Sequence, residues 1–202
     1  MELTLSDRTI TLPDSLGDLK PIQYMNFFSI VAKLPVTEEE LRELLSTFQG
    51  EMIMIELSKI MIDGDIDDVL IEDLHLLSAY IFNLITKNDM DLLVPKSFKI
   101  DDIEYAVTDM DKIKTGEYIS IKICQEQHKN NPIDYINDVC SILCRPCSHV
   151  MNVETGEDMI VISKFDEHQM SMIKQRSDIF KNKGKARDIV PVLNFFLSMK
   201  KR

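Results

Sequence analysis

Glycine is scarce in this chain, six residues in 202, and the loops that glycine builds around phosphates are missing with it. Neither the G-x-x-x-x-G-K-[ST] loop nor the dinucleotide-binding G-x-G-x-x-G occurs, and there is no G-x-S-x-G nucleophile turn. The four histidines, His75, His128, His149 and His168, do not form the H-E-x-x-H pair of a zinc peptidase. Nucleophilic, phosphoryl-transfer and metallopeptidase chemistry therefore lack a positive signal, and a non-enzymatic protein is expected. No apolar run approaches the roughly 18–20 residues that cross a bilayer. The opening MELTLSDRTI has neither a basic leader nor an apolar stretch behind it, so the expectation is an intracellular protein with no membrane partner.

Cysteine is also sparse, at four residues, but three of them are clustered. Cys140, Cys144 and Cys147 follow a C-x3-C-x2-C spacing, with His149 two residues on. That is too few and too local for a secreted disulfide scaffold. It has the ligand types of an iron–sulfur cluster or, with the histidine, a zinc site. Against the first, the motif lies two-thirds along the chain, Pro146 stands where radical-SAM enzymes carry an aromatic residue, and glycine-rich co-substrate segments are lacking. Against the second, four ligands within ten residues would have to wrap one ion without a second knuckle; Cys124 or His128 would need to join from elsewhere. The preferred reading is buried thiols near a helix end, with Cys140 and Cys144 at i,i+4 beside Ile136 and Leu143. No cofactor is expected; a metal or iron–sulfur protein using this cluster is the alternative. The loop DGDIDD sets Asp63, Asp65 and Asp67 at calcium-loop positions, but Asp68 and Leu74 stand where an EF-hand needs Gly and Glu, so it reads as a solvated acidic loop.

Charge is present in quantity and unevenly spread. Residues 1–163 hold 13 basic and 30 acidic side chains, a net of −17, whereas residues 164–202 hold 10 and 4, a net of +6. The acidic body argues against broad nucleic-acid binding, which depends on neutralising phosphates. A regulatory nucleic-acid role for the basic end is the weaker alternative. Lys181, Lys183, Lys185 and Arg187, together with Lys200, Lys201 and Arg202, can instead dock on an acidic protein surface, including that of another copy. PVLNFFLSMKKR adds an amphipathic helix in which Phe195 and Phe196 either line a partner's groove or pack on the chain's own domain. Met52, Met54 and Met61, and Met151, Met159, Met170 and Met172 further on, are read as core rather than as an adaptable surface.

The organisation is carried by a repeat at a spacing of roughly 95 residues. Leu3, Leu5, Ile10 and Leu12 correspond to Phe98, Ile100, Tyr105 and Val107; Asp7 corresponds to Asp102 and Asp14 to Asp109. Leu19-Lys20 meets Ile113-Lys114, and Gln23-Tyr24 meets Glu117-Tyr118. Each copy predicts an alternating hairpin, an acidic linker and a segment centred on Gln/Glu-Tyr. The box T-E-E-E at Thr37–Glu40 predicts a helix carrying Leu41, Leu44, Leu45 and Phe48 on one face. Further helices are expected over residues 51–62, 72–85, 116–126, 132–143, 166–180 and 188–199, with a third hairpin turning at Thr155-Gly156. The expected fold is α+β, predominantly helical, with short antiparallel hairpins in a repeated hairpin-plus-helix arrangement. Residues 1–95 form the first such unit and 96–202 the second, within one compact domain.

With these pieces placed, the chain resembles the small virion structural proteins of tailed phages, in particular crAss-like gut phages, some of which are tail-assembly chaperone-like. The stretches that carry the resemblance are TLSDRTITLPDSLGDLKPIQYMNF, IKTGEYISI, VCSILCRP and RSDIFKNKGKARDIVPVLNFFLSM. Arg145, Pro146, Arg176 and the aromatic close at residues 194–196 fall on the family's pattern; Cys144 departs from it, standing where an aromatic residue precedes Arg-Pro. The resemblance implies a non-enzymatic virion structural or assembly protein, located in the virion or in the host cytoplasm during assembly. Its partners would be other phage structural proteins, with a homo-oligomer possible.

Overall fold

The computed structural model describes residues 2–5, 9–35, 37–62, 66, 69–87, 93–129, 132–165 and 170–199. They are predominantly helical, with small antiparallel sheets, and the chain divides into two compact units, Met1–Asp91 and Leu92–Arg202. In the first unit, strands β1 (Glu2–Thr4) and β2 (Thr9–Thr11) pair with Leu3 opposite Ile10. A 3-10 turn at Leu16–Asp18 leads into α1 (Pro21–Val31), whose proline at the first turn gives up an amide that would have no helical partner. Helix α2 (Glu38–Leu45) begins at Thr37, whose hydroxyl accepts from the Glu40 amide at 3.4 Å and donates to the Glu40 carboxylate at 2.7 Å. Helices α3 (Phe48–Ile62) and α4 (Ile71–Lys87) complete the unit. Its core joins Leu16, Leu19 and Phe27 to Met54, Leu57, Met61, Ile81 and Leu84.

One helix boundary departs from the sequence reading. Phe48 does not extend the α2 face; it opens α3 and is 77% exposed. The chain breaks because the Ser46 and Thr47 hydroxyls bond back to the Glu43 and Leu44 carbonyls, while Thr47 accepts from the Gly50 amide. The turn is so tight that a Cβ at Gly50 would run into the Leu44 carbonyl.

The second unit repeats the opening of the first. Strands β3 (Ser97–Ile100) and β4 (Ile103–Val107) pair with Phe98 opposite Tyr105, the counterpart of the Leu3–Ile10 pair. Asp101 holds the turn at φ +52°, and Asp102 follows it; Asp7 lies outside the described residues. A 3-10 turn at Met110–Lys112, capped by Asp109, again precedes a helix, α5 (Thr115–Gln127). Helix α6 (Pro132–Leu143) packs against α5, α7 (Met170–Lys183) and α8 (Ala186–Met199). Strand β5 (Cys144–Met151) follows α6 directly and pairs with β4 on one side and β6 (Asp158–Ile162) on the other, giving the order β3-β4-β5-β6. Phe180 of α7 meets Phe98 and Tyr105 edge-on at 5.7 and 5.0 Å, sealing one face of the sheet.

Cys144 is therefore not a helical neighbour of Cys140. Pro146 has no amide to donate and disfavours helical backbone at Arg145, so the helix stops at Leu143. The strand ladder takes over, with the Thr108 amide on the Leu143 carbonyl at 2.8 Å and Cys144 opposite Val107. The DGDIDD loop falls mostly outside the described residues, as do residues 166–169 of the helix expected over 166–180.

Candidate functional site

The repeat places Gln23 and Glu117 at the third position of equivalent helices, and both reach back to cap them. Gln23 Oε1 accepts from the Lys20 amide at 3.0 Å; Glu117 Oε2 accepts from the Lys114 amide at 2.8 Å. The second half of each side chain does different work. Gln23 Nε2 donates to the Ile60 carbonyl at 2.9 Å, tying α1 to α3. Glu117 is fully buried, and its Oε1 lies 2.8 Å from Arg145 Nη2, an ion pair by distance although outside hydrogen-bond angles. Arg145 also donates to the Thr108 hydroxyl at 3.2 Å and lies 5.8 Å from the Phe165 ring centre, while its Nε and Nη1 are buried without a hydrogen-bond partner. Arg176 donates to the Ser141 carbonyl at 3.0 Å. Burial pushes both guanidinium groups down from the ordinary arginine range, and at Arg176 the charge of Arg145 adds to it. Both remain charged, since arginine does not deprotonate in proteins. Arg145, buried, thus ties β5 to α5, and Arg176, partly buried, ties α7 to α6.

Two of the three clustered cysteines stay together in the interior, and the third and the histidine lie further along β5. Cys140 and Cys144 are fully buried, and the Cys140 thiol approaches the Ile189 carbonyl at 3.4 Å. Burial pushes both thiols well up, and it raises the Cys124 thiol to about 11. Cys147 is half-buried on β5. His149 is exposed two residues further on, bonded through Nδ1 to Asp158 at 2.7 Å and through Nε2 to Glu104 at 3.1 Å. Among the described residues no group of three His, Cys, Asp or Glu side chains could hold a metal ion. The basic end is engaged with its own unit: Lys181 pairs with Asp134 at 2.8 Å and Lys183 with Asp101 at 2.6 Å, and Lys185 and Arg187 also have interactions. Phe196 is 3% exposed and belongs to the core; Phe195 lies in α8, and Lys200, Lys201 and Arg202 lie outside the described residues.

The surface that sequence reasoning underrated is the β5–β6 hairpin. Strand β5 pairs with β4 only through Cys144, Arg145 and Pro146; from Cys147 to Met151 it pairs with β6. That arm closes through Asn152, whose side chain accepts from the Glu154 amide at 2.9 Å, and through Gly156 at φ +69°. Its apolar residues are exposed: Met151 at 71%, Val153 at 98%, Val161 at 46% and Ile160 at 39%, with Val150 and Met159 alongside. The core reading of the methionines holds for Met54 and Met61, which are buried, and is corrected for Met52, Met151, Met159 and Met172, which are exposed. Asp158 is the one charged residue in β6, so the edge lacks the lysines, prolines and bulges that usually guard such strands. The signal was legible as DMIVI, apolar at successive positions where a one-faced strand would alternate.

Among the described residues, no helix is long and apolar enough to cross a membrane. Comparison with protein-family models, curated proteins and solved structures finds no match to this chain.

Proposed function

We propose that the chain is a non-enzymatic structural or assembly protein of a tailed-phage virion, acting through protein–protein contacts as a ring, connector, tail-assembly or packaged component. The observation that carries this reading is the β5–β6 arm, an unguarded sheet edge with apolar side chains exposed on both faces. Exposed apolar surface of this kind marks contact sites with other chains, and open strand edges bind them by main-chain pairing. The sequence resemblance supplies the setting, the virion or the host cytoplasm during assembly. The buried Glu117–Arg145 pair supports an architectural role for the second unit, because its charges are sealed inside rather than presented to a substrate.

Peptide mass spectrometry of gradient-purified particles and assembly intermediates tests this reading. The chain is expected at a fixed ratio to other structural proteins in one or both fractions. Its absence from both would remove the reading.

A further inference from the structure

Among the described residues, strand β6 has one edge in the hairpin and no strand paired to the other. The bonds flanking its ladder run from the Ser163 amide to the Pro146 carbonyl at 2.9 Å and from the Asn152 amide to the Glu157 carbonyl at 2.8 Å. Both fall on odd-numbered residues of the β6 segment. Antiparallel geometry then turns the amides and carbonyls of Asp158, Ile160 and Ile162 away from β5.

We infer that this edge pairs with a second copy of itself, antiparallel and about a two-fold axis at Val161, joining two four-stranded sheets into one of eight strands. The inference rests on the assembly reading and names the partner. Its argument is self-complementarity. With Val161 on the axis, Ile160 faces Ile162 of the second copy, Met159 faces Ser163, and Asp158 faces Lys164, which is exposed just past the strand. Every outward amide and carbonyl of one copy then meets one on the other, and opposite charges close both ends. Moving the axis by one residue, to Ile160, sets Asp158 against Ile162 and loses the charge match. A two-fold axis requires that a surface complement itself in this way.

The test uses the full-length chain in native mass spectrometry and sedimentation over a concentration series, with circular dichroism confirming that each variant folds. The unaltered chain is expected to dimerise. Asp158→Lys sets like charges against Lys164 at both ends, and Lys164→Asp does the same against Asp158, so each alone should weaken self-association about tenfold. Mixed together, the two variants regain opposite charges at both ends, and a heterodimer of roughly the original affinity is expected. Lys164→Asp leaves the hydrogen bond between His149 and Asp158 intact, so its loss of dimer cannot be ascribed to a damaged hairpin. A monomeric unaltered chain, single variants that dimerise unchanged, or a mixture that stays monomeric would each overturn this pairing. Those outcomes leave the assembly reading standing, whereas absence of the chain from particles and intermediates removes that reading even if a dimer forms.

Discussion

The two units open alike, and the contrast between Gln23 and Glu117 shows how much one atom changes. Both side chains cap a helix through one oxygen. In the first unit the remaining atom is an amide nitrogen, satisfied by the Ile60 carbonyl, and the cap itself brings in no charge. In the second unit it is a carboxylate oxygen, and the fold has brought Arg145 from the start of β5 to meet it. A neutral cap needs only a backbone partner, whereas a charged one needs a counter-charge and binds the surrounding structure more strictly. Loss of the capping residue's partner should therefore cost the second unit more than the first.

Breaking the charged version should give the largest effect. Arg145→Ala leaves Glu117 buried and uncompensated, and a loss of about 3–5 kcal/mol is expected in denaturant unfolding. The double variant Glu117→Gln/Arg145→Met removes both charges while keeping the cap and the volume, and should recover most of that loss. A double variant as damaged as the single one would show that the pair acts through something other than charge.

A smaller effect is expected from converting the first unit to the pattern of the second. Gln23→Glu keeps an acceptor for the Lys20 amide but sets a carboxylate oxygen against the Ile60 carbonyl. About 1–3 kcal/mol should be lost at neutral pH, and the loss should shrink in acid as the carboxylate takes up a proton. An unchanged stability would mean that the tie between α1 and α3 contributes nothing.

The smallest effect concerns the root of the arm, where His149 bridges Asp158 and Glu104. The hydrogen bond to Asp158, then that to Glu104, raises the imidazole above its ordinary 6.5, while bonds from Ser97 and His149 hold Glu104 below its ordinary 4.5. The His149 contribution is complete below 6.5 and fades as pH rises through the raised value; the Glu104 contribution is complete above 4.5 and fades as pH falls through the lowered one. The tie is therefore tightest between these limits. NMR titration should place His149 above 6.5, with Asp158→Asn drawing it back toward that value. A His149 titrating at the ordinary value would contradict the bridge.

Much of the fold was legible because its signals are local. Thr37 with Glu40, the alternating hairpins, Pro132 opening α6 and the doubled order of hairpin, linker and Gln/Glu-Tyr all act within a few residues. What escaped depends on distant partners or on competition between neighbours. Nothing near Glu117 in sequence singles it out among 34 acidic residues as the one that meets Arg145. The i,i+4 spacing of Cys140 and Cys144 suggested a common helix face, and Pro146 overruled it. The arm was visible as a hairpin, but whether its methionines face a core depends on where β4 stops pairing, and the strand's own sequence does not say.

Hydrogen exchange along β6, followed as protein concentration rises, tests most directly whether the arm is a surface for other copies. The amides of Met159, Val161 and Ser163, turned toward β5, should be protected at every concentration. Those of Asp158, Ile160 and Ile162 should exchange freely when dilute and become protected together as copies pair. Exchange of these three that does not respond to concentration would contradict the account.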